Sequence, residues 1–594
     1  MTTSTAARAI FAPPRVIRRP SGDGGFVLQS AAPLQPYEDS LGLLLRRWAA
    51  EAPDRTFLAE RDGAGGWREV SYAAAQRSAD AIAQALLDRG LSQDRPVMVL
   101  SGNSIEHGLL MLGAYLAGVP IAPISPAYST PGGDFGKVRH AAKLIRPGLV
   151  FVQDADALHA ALDVDELRGT EVVTAGGGPG TPFDDLLATP ATGRVEAALR
   201  AIPPEAVAKI LFTSGSTDLP KGVLQTHRML CSNQQAMAQC WPFLTETPPV
   251  LVDWLPWNHT FGGNHDFNLV LKHGGTLYLD AGKPAPALVG RTIENLREVS
   301  QTVAFNVPVG FGLLLPHLEQ DAELRARFFA RLQLIFYAAA ALPQDLWDRL
   351  EAVAVKERGE PVPMTSSWGL TETAPAATTA HYPIPRAGII GVPVPGCEVK
   401  LVPEDGKHEL RVRGPNVFPG YLGRPDLTEA SFDAEGFYRT GDAGKLADPD
   451  DLDKGLVFDG RIVEDFKLSS GTFVSVGRLR VAALAAADGL LQDAVVCGHD
   501  RDEVCLLAWP APGGPPPAEL LAEVAGRLRA YNATQTGSST RVARIALLAE
   551  PPSMDHNEIT DKGYVNQRAV LARRAADVER LYAQPPGPGV ASCR

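Results

Sequence analysis

Residues 213–222, Thr-Ser-Gly-Ser-Thr-Asp-Leu-Pro-Lys-Gly, constrain this chain more than any other stretch. They follow Val-Ala-Lys-Ile-Leu-Phe at 207–212, an apolar and partly β-branched run that predicts a buried strand feeding a loop. The composition of that loop suits a phosphate. Gly215 and Gly222 let backbone N–H groups approach an anion, while the hydroxyls of Thr213, Ser214, Ser216 and Thr217 add rotatable donors. Lys221 supplies a point charge on a flexible stem. A Walker loop is excluded, because Pro220 precedes Lys221 and Gly222 follows it where Ser or Thr would be required. The expectation is a triphosphate cradle, with a plain polar turn as the alternative.

A length of 594 residues exceeds what one hydrophobic core usually holds, so at least two domains are expected. The formal net charge of -12 argues against a nucleic-acid partner, which would favour a basic face. Cysteines at 231, 240, 397, 497, 505 and 593 show neither C-x-x-C spacing nor a disulfide framework, which fits a reduced cytoplasm. No apolar run reaches the roughly 18 residues of a membrane span. The basic stretch Arg15 to Pro20 lacks the apolar segment of a secretory signal, so residues 1–40 read as a disordered or extended leader.

Between Tyr72 and Gly90, Ala79, Ile82, Ala83, Leu86 and Leu87 recur at helical spacing, and Gly90 is a natural stop. A strand at Val97 to Leu100, a helix capped by Ser104 and running to Ala117, and an extended run from Val119 to Ile124 follow. This alternation predicts a layered α/β architecture with parallel strands. A boundary falls near Gly460-Arg461, after which a second strand and helix pattern restarts at Val495 to Cys497 and Ala518 to Tyr531.

The hydroxyl-and-glycine run ending in Pro220-Lys221-Gly222 resembles the phosphate loop of the adenylate-forming enzymes, the superfamily of acyl-CoA synthetases, peptide-synthetase adenylation domains and beetle luciferases. Asp218 stands where that loop usually has Gly; Asp also tolerates a left-handed backbone. Ser366-Ser367-Trp368-Gly369-Leu370-Thr371-Glu372 resembles the segment in which an aromatic ring stacks on adenine, Thr meets phosphate and Glu binds magnesium. Trp368 replaces the usual Tyr or Phe. Tyr438-Arg439-Thr440-Gly441-Asp442 resembles the segment whose Asp accepts from both ribose hydroxyls, and Arg461 matches the Arg that also reaches ribose. Val463 occupies the place where the family has a hinge Asp or Lys.

Trp254 to His265 resembles the segment that gates the acyl pocket, which implies roles for His259 and Phe261. His259, His265 and Asp266 raise the possibility of a metal site, although their spacing matches no common zinc pattern. Asn306 to Phe311, with Val307 and Gly310, and Tyr337 to Leu342, with Ala338, Ala339 and Ala340, resemble further segments lining the pocket and the adenine. Ser367 belongs to the same lining. Near the C-terminus Lys562, or a neighbour, falls where the family carries its adenylation lysine, and Ser470-Gly471 matches a loop that guides the thiol. The stretches 253–266 and 558–567 look most like the feruloyl-CoA synthase group.

The resemblance implies an α/β fold with a large N-terminal AMP-binding domain of layered α/β subdomains over 41–460 and a small mobile α+β domain over 461–594. It also implies an acid–thiol ligase, monomeric or homodimeric, that uses ATP, Mg2+ and coenzyme A. Glu372 and Thr217 would face the metal. A hydroxycinnamate such as ferulate is the expected acid, with benzoate, fatty acids or amino acids as alternatives. Absence of a Gly-x-Ser-x-Gly elbow disfavours a serine hydrolase. Asp218, Val463 and the shifted Lys562 leave open a nucleotide-binding regulator that has lost catalysis.

Overall fold

The computed structural model describes residues 10–130, 133–213, 219–340, 342–404, 406–462, 464–511, 515–553, 556–559 and 565–594. Local signals set its first helices. Ser71 accepts the Ala74 N–H at the head of the helix Tyr72–Asp88, and Gly90, at φ +65°, turns the chain away after it. Ser104 accepts the His107 N–H at the head of Ile105–Ala117, which is buried along its whole length. Both helices pack on a seven-stranded sheet ordered Lys221–Thr226, Val207–Thr213, Ile121–Pro123, Val97–Val99, Leu149–Val152, Glu171–Thr174 and Thr181–Pro182. All neighbours in it are parallel except the hairpin formed by the first two strands.

A second sheet departs from the expected parallel arrangement. Its eleven strands, among the described residues, run in the order Val16–Pro20, Phe26–Ser30, Glu398–Glu404, Lys407–Arg413, Tyr438–Leu446, Leu456–Arg461, Ile389–Pro393, Ala376–Thr379, Met364–Gly369, Leu334–Tyr337 and Val303–Asn306. Only the last three are mutually parallel. Elsewhere connections as short as that between Glu404 and Lys407 leave no room for a crossover helix, so the strands must reverse. Within the stretch read as a disordered or extended leader, Val16–Pro20 and Phe26–Ser30 are extended, paired strands. Phe26–Ser30 pairs with Glu398–Glu404 and buries Val27 and Leu28 completely, while the Val16 N–H donates to Asp453 Oδ1 at 2.8 Å.

A third sheet of the body joins Val250–Asp253, Thr276–Leu279, Thr56–Arg61 and Trp67–Ser71. The three apolar clusters of the body draw on no residue past Val457. Two further clusters draw only on residues from Phe466 to Cys593, around a sheet of Leu491–Cys497, Cys505–Pro510, Arg544–Leu547 and Val590–Ser592. Charge pins the junction: Lys407 pairs with Asp465 and donates to the Asp459 carbonyl, and Arg478 pairs with Asp459. All six cysteines are buried free thiols. Among the described residues no helix is long and apolar enough to cross a membrane.

Candidate active site

Strands Val207–Thr213 and Lys221–Thr226 form the hairpin that carries the expected phosphate loop, and Thr213 faces Lys221 in register at its mouth. Ser214, Gly215, Ser216, Thr217 and Asp218 lie outside the described residues, as do Val463 and Lys562. Lys221 Nζ stands 5.0 Å over the ring of Tyr421, a residue no motif singled out. The Tyr421 hydroxyl donates to Glu372 Oε1 at 2.9 Å and lies 3.3 Å from the Tyr438 hydroxyl. Backbone bonds seal the arrangement: Leu422 N–H donates to Gly222 O at 2.8 Å and Phe418 N–H to Glu372 O at 2.9 Å. One loop therefore ties the strand after the phosphate loop to the turn that carries Glu372.

Burial and the Glu372 carboxylate push the Tyr421 phenol up, so it remains a donor at neutral pH. Glu372 is 6% exposed, and its Oε1 is held by a neutral hydroxyl. A buried carboxylate in that setting calls for a cation, and hard oxygen donors suit Mg2+. Glu372 thus fits a magnesium ligand, directly or through water.

Trp368 is the penultimate residue of the strand Met364–Gly369, and Asp442 lies on Tyr438–Leu446, four places away in the sheet. A flat sheet would separate them by roughly 19 Å. Trp368 Nε1 nevertheless donates to Asp442 Oδ2 at 2.8 Å, so the sheet curls over on itself here. Asp442 is also the register partner of Arg461 on the adjacent strand, and Arg461 Nε is 3.3 Å from its other oxygen. Burial raises the Asp442 carboxyl above the usual range, opposed by Arg461 and the indole N–H. Thr371 and Glu372 follow in a short 3-10 turn, and the Thr371 carbonyl accepts from Gln225 Nε2 at 2.8 Å. Ala338, Ala339 (φ +74°) and Ala340 follow the end of Leu334–Tyr337, whose last residue is in parallel register with Ser366, next to Ser367, Trp368 and Gly369.

On the other side of Gln225 lies the acyl segment. Thr260–Asp266 is a single wide turn of π-helix, a form that recurs at functional sites. Gly262 and Gly263 make it possible, because a Cβ at either position would sit 2.3 or 2.2 Å from the carbonyl oxygens of Leu255 or Trp257. Gln225 Oε1 accepts from Asn264 Nδ2 at 3.0 Å, and the buried Lys209 Nζ donates to Gly263 O at 2.8 Å. The turn is thereby bonded to both strands of the phosphate-loop hairpin.

His265 sits inside a ring of aromatics: Phe305 at 5.1 Å, Phe336 at 5.2 Å, Phe261 at 5.8 Å and Trp241 at 5.9 Å between centroids. Burial lowers its imidazole to about 3, so it is neutral, and its 2.7 Å contact with Asp266 Oδ1 is a hydrogen bond rather than an ion pair. Asp253 and Asp266 are both raised by burial, and the neighbouring Asp266 carboxyl adds to the rise at Asp253. Among the described residues no three or more His, Cys, Asp or Glu side chains gather to hold a metal, so the possible site at His259, His265 and Asp266 is not formed. His259 is buried at the head of the turn, and Val307 is buried against the same core.

At Gly310 a Cβ would meet Asn306 Oδ1 at 2.0 Å, so the glycine makes room for the Asn306 side chain, which accepts from Trp254 Nε1 at 3.1 Å. Ser367 donates to the Thr379 hydroxyl at 2.8 Å, along the sheet. Ser470 and Gly471 stand on the tip of the hairpin joining Phe466–Lys467 to Phe473–Val474, where Gly471 (φ +78°) donates to Leu468 O. The sequence patterns missed Tyr421, Gln225, Trp241, Phe305 and Phe336; only the turn residues Pro419-Gly420 beside Tyr421 gave any local signal.

Residues 45–422 match the AMP-binding enzyme family and residues 480–585 its C-terminal domain. A 3-[(3aS,4S,7aS)-7a-methyl-1,5-dioxo-octahydro-1H-inden-4-yl]propanoyl:CoA ligase of Rhodococcus jostii (strain RHA1) is 28% identical, over 70% of this chain and 78% of its own length. 4-coumarate--CoA ligase 2 of Oryza sativa subsp. japonica is also 28% identical, over 68% and 72%. Among solved structures, an ATP-bound RpMatB-BxBclM chimera superposes with TM-score 0.71 at 23% identity, covering 91% of this chain and 99% of its own. The anthranilate CoA ligase AuaEII in complex with anthranoyl-AMP gives TM-score 0.71 at 18% identity, covering 92% and 98%. These structures share the fold of a large α/β domain with a smaller C-terminal one. The chain belongs to the AMP-binding enzyme family and is an AMP-forming acid–CoA ligase that works with ATP, Mg2+ and coenzyme A.

Proposed function

We propose that the acid is an aromatic one of the hydroxycinnamate type, such as ferulate, activated as its adenylate and passed to coenzyme A. The aromatic ring around His265 carries this reading. Phe261, Phe305, Phe336 and Trp241 offer flat apolar faces at centroid distances of 5.1 to 5.9 Å from a neutral imidazole whose Nε2 is buried with no hydrogen-bond partner. Such a wall suits a planar ring carrying one polar substituent better than a saturated chain. The 4-coumarate--CoA ligase relative supports the same class.

In this reading Thr213, Ser214, Gly215, Ser216, Thr217 and Lys221 cradle the triphosphate, and Lys562 reaches the α-phosphate. Trp368, Gly369, Ala339 and Ala340 border the adenine, Asp442 and Arg461 hold the ribose, and Thr371 meets phosphate. His259, Phe261, Val307, Ala338 and Ser367 face the acid. Glu372 and Thr217 would hold Mg2+, which would supply neutralisation of the phosphate charge. A carboxylate oxygen bonds to the α-phosphorus and pyrophosphate leaves; the thiol sulfur then bonds to the acyl carbon and AMP leaves. Residues 41–460 act as the nucleotide-binding body and 461–594 as a mobile partner that brings Ser470-Gly471 forward for the second step. The reduced cysteines favour the cytoplasm.

ATP–pyrophosphate exchange over ferulate, 4-coumarate, benzoate, malonate, acetate and palmitate tests the acid. Ferulate or 4-coumarate should give the highest kcat/KM; palmitate or malonate at the top would overturn the reading.

A further inference from the structure

We propose that Trp368 is the positioning residue for ribose recognition: its indole N–H holds the Asp442 carboxylate in the rotation that receives the sugar hydroxyls. The inference rests on the nucleotide site proposed above and adds a second task to the ring expected to border the adenine.

The geometry is specific to an indole. Indole Nε1–H is a donor with no acceptor capacity, so the 2.8 Å contact has only one possible direction, from Trp368 to Asp442 Oδ2. Phenylalanine has no donor at all, and a tyrosine hydroxyl projects from the far end of its ring, away from the position of the indole nitrogen. A carboxylate has about four acceptor positions on two oxygens. The indole takes one on Oδ2, and Arg461 Nε stands 3.3 Å from Oδ1, which leaves each oxygen an acceptor position for one hydroxyl of a vicinal diol.

Asp442 needs such a guide. It is 5% exposed, and its own backbone N–H goes to Thr440 Oγ1 at 3.1 Å rather than to the carboxylate. Arg461 cannot fix the rotation alone, because more than half of its side chain is exposed. Trp368 is 6% exposed, with its ring packed into the main core, so its N–H is a fixed point in the site. The curl of the sheet, which brings two strands four places apart within hydrogen-bond reach, is what delivers that fixed donor.

The test compares Trp368→Phe with the wild-type chain by calorimetric titration of ATP and of 2′,3′-dideoxy-ATP in the presence of Mg2+. Phenylalanine keeps an aromatic face and removes the N–H. ATP should bind about tenfold more weakly to the variant, as expected for losing a hydrogen bond to a charged group, whereas dideoxy-ATP should change by less than about twofold. In an Asp442→Ala background the same substitution should have no further effect on ATP. Equal weakening of both nucleotides would show a stacking or structural role and overturn the proposal, as would no weakening of ATP. A wild-type chain that binds ATP and dideoxy-ATP alike would instead remove the ribose role of Asp442, and the inference with it. Trp368→Tyr, read in the same way, covers the case in which the phenylalanine variant does not fold.

Discussion

The two sides of the site, proposed for the nucleotide and for the acid, are built on opposite electrostatic plans. On the proposed nucleotide side stand Lys221, Glu372, Asp442 and Arg461, each within reach of a hydroxyl, an indole N–H, an aromatic face or an opposite charge. Across Gln225, the acyl side carries His265, Asp266 and Asp253, also titratable, yet burial holds the imidazole at about 3 and raises both carboxyls, so that side is close to uncharged. A polyanion needs fixed charges, while a neutral ring needs desolvated faces and a hydrogen bond at most. Keeping the two plans apart lets the acid vary without altering the machinery for ATP.

That division can be attacked directly. The largest effect is expected from Glu372→Gln, which should lower ATP–pyrophosphate exchange by about a hundredfold or more with every acid alike; a loss confined to aromatic acids would break the division. His265→Leu should act on the other side only. It should raise KM for a hydroxycinnamate about tenfold while leaving unsubstituted cinnamate and the KM for ATP within about twofold. If ATP binding weakened as well, the two sides would be one unit.

The smallest effect sharpens the seam between them, where Lys209 of the strand Val207–Thr213 bonds Gly263 of the acyl turn. Burial pulls its ammonium from 10.5 down to about 7. The unfolded chain keeps that proton until near 10.5, so stability should rise as pH climbs from about 7 and fall again on the way back. Lys209→Met should flatten this slope by a few degrees in Tm, measured by thermal melting at several pH values. An unchanged slope would mean that the ammonium is solvated in the native protein.

The same division decides what could be read without a structure. ATP has a fixed pattern of phosphates and hydroxyls, so the residues proposed to meet it come as short contiguous runs, and 213–222, 366–372 and 438–442 stood out for that reason. The aromatic wall comes from positions 241, 261, 305 and 336, brought together only by the packing of separate strands and helices, and no spacing marks them. Tyr421 escaped for a similar reason: its contacts with Lys221 and Glu372 span 200 and 49 positions. Helices with strong caps, such as Tyr72–Asp88, were legible, whereas the antiparallel half of the large sheet was not, because pairing partners are chosen by topology rather than by local composition.

The two leading strands have a practical reach beyond the site. Phe26–Ser30 covers the flank of Glu398–Glu404, and the next strand in, Lys407–Arg413, pairs with the one that bears Asp442. A chain trimmed to begin at residue 41 would bare that flank's unpaired amides, an invitation to self-association between molecules. Shortened versions should therefore elute as oligomers or precipitate, and a fusion partner is better tolerated ahead of residue 10 than in place of the leader.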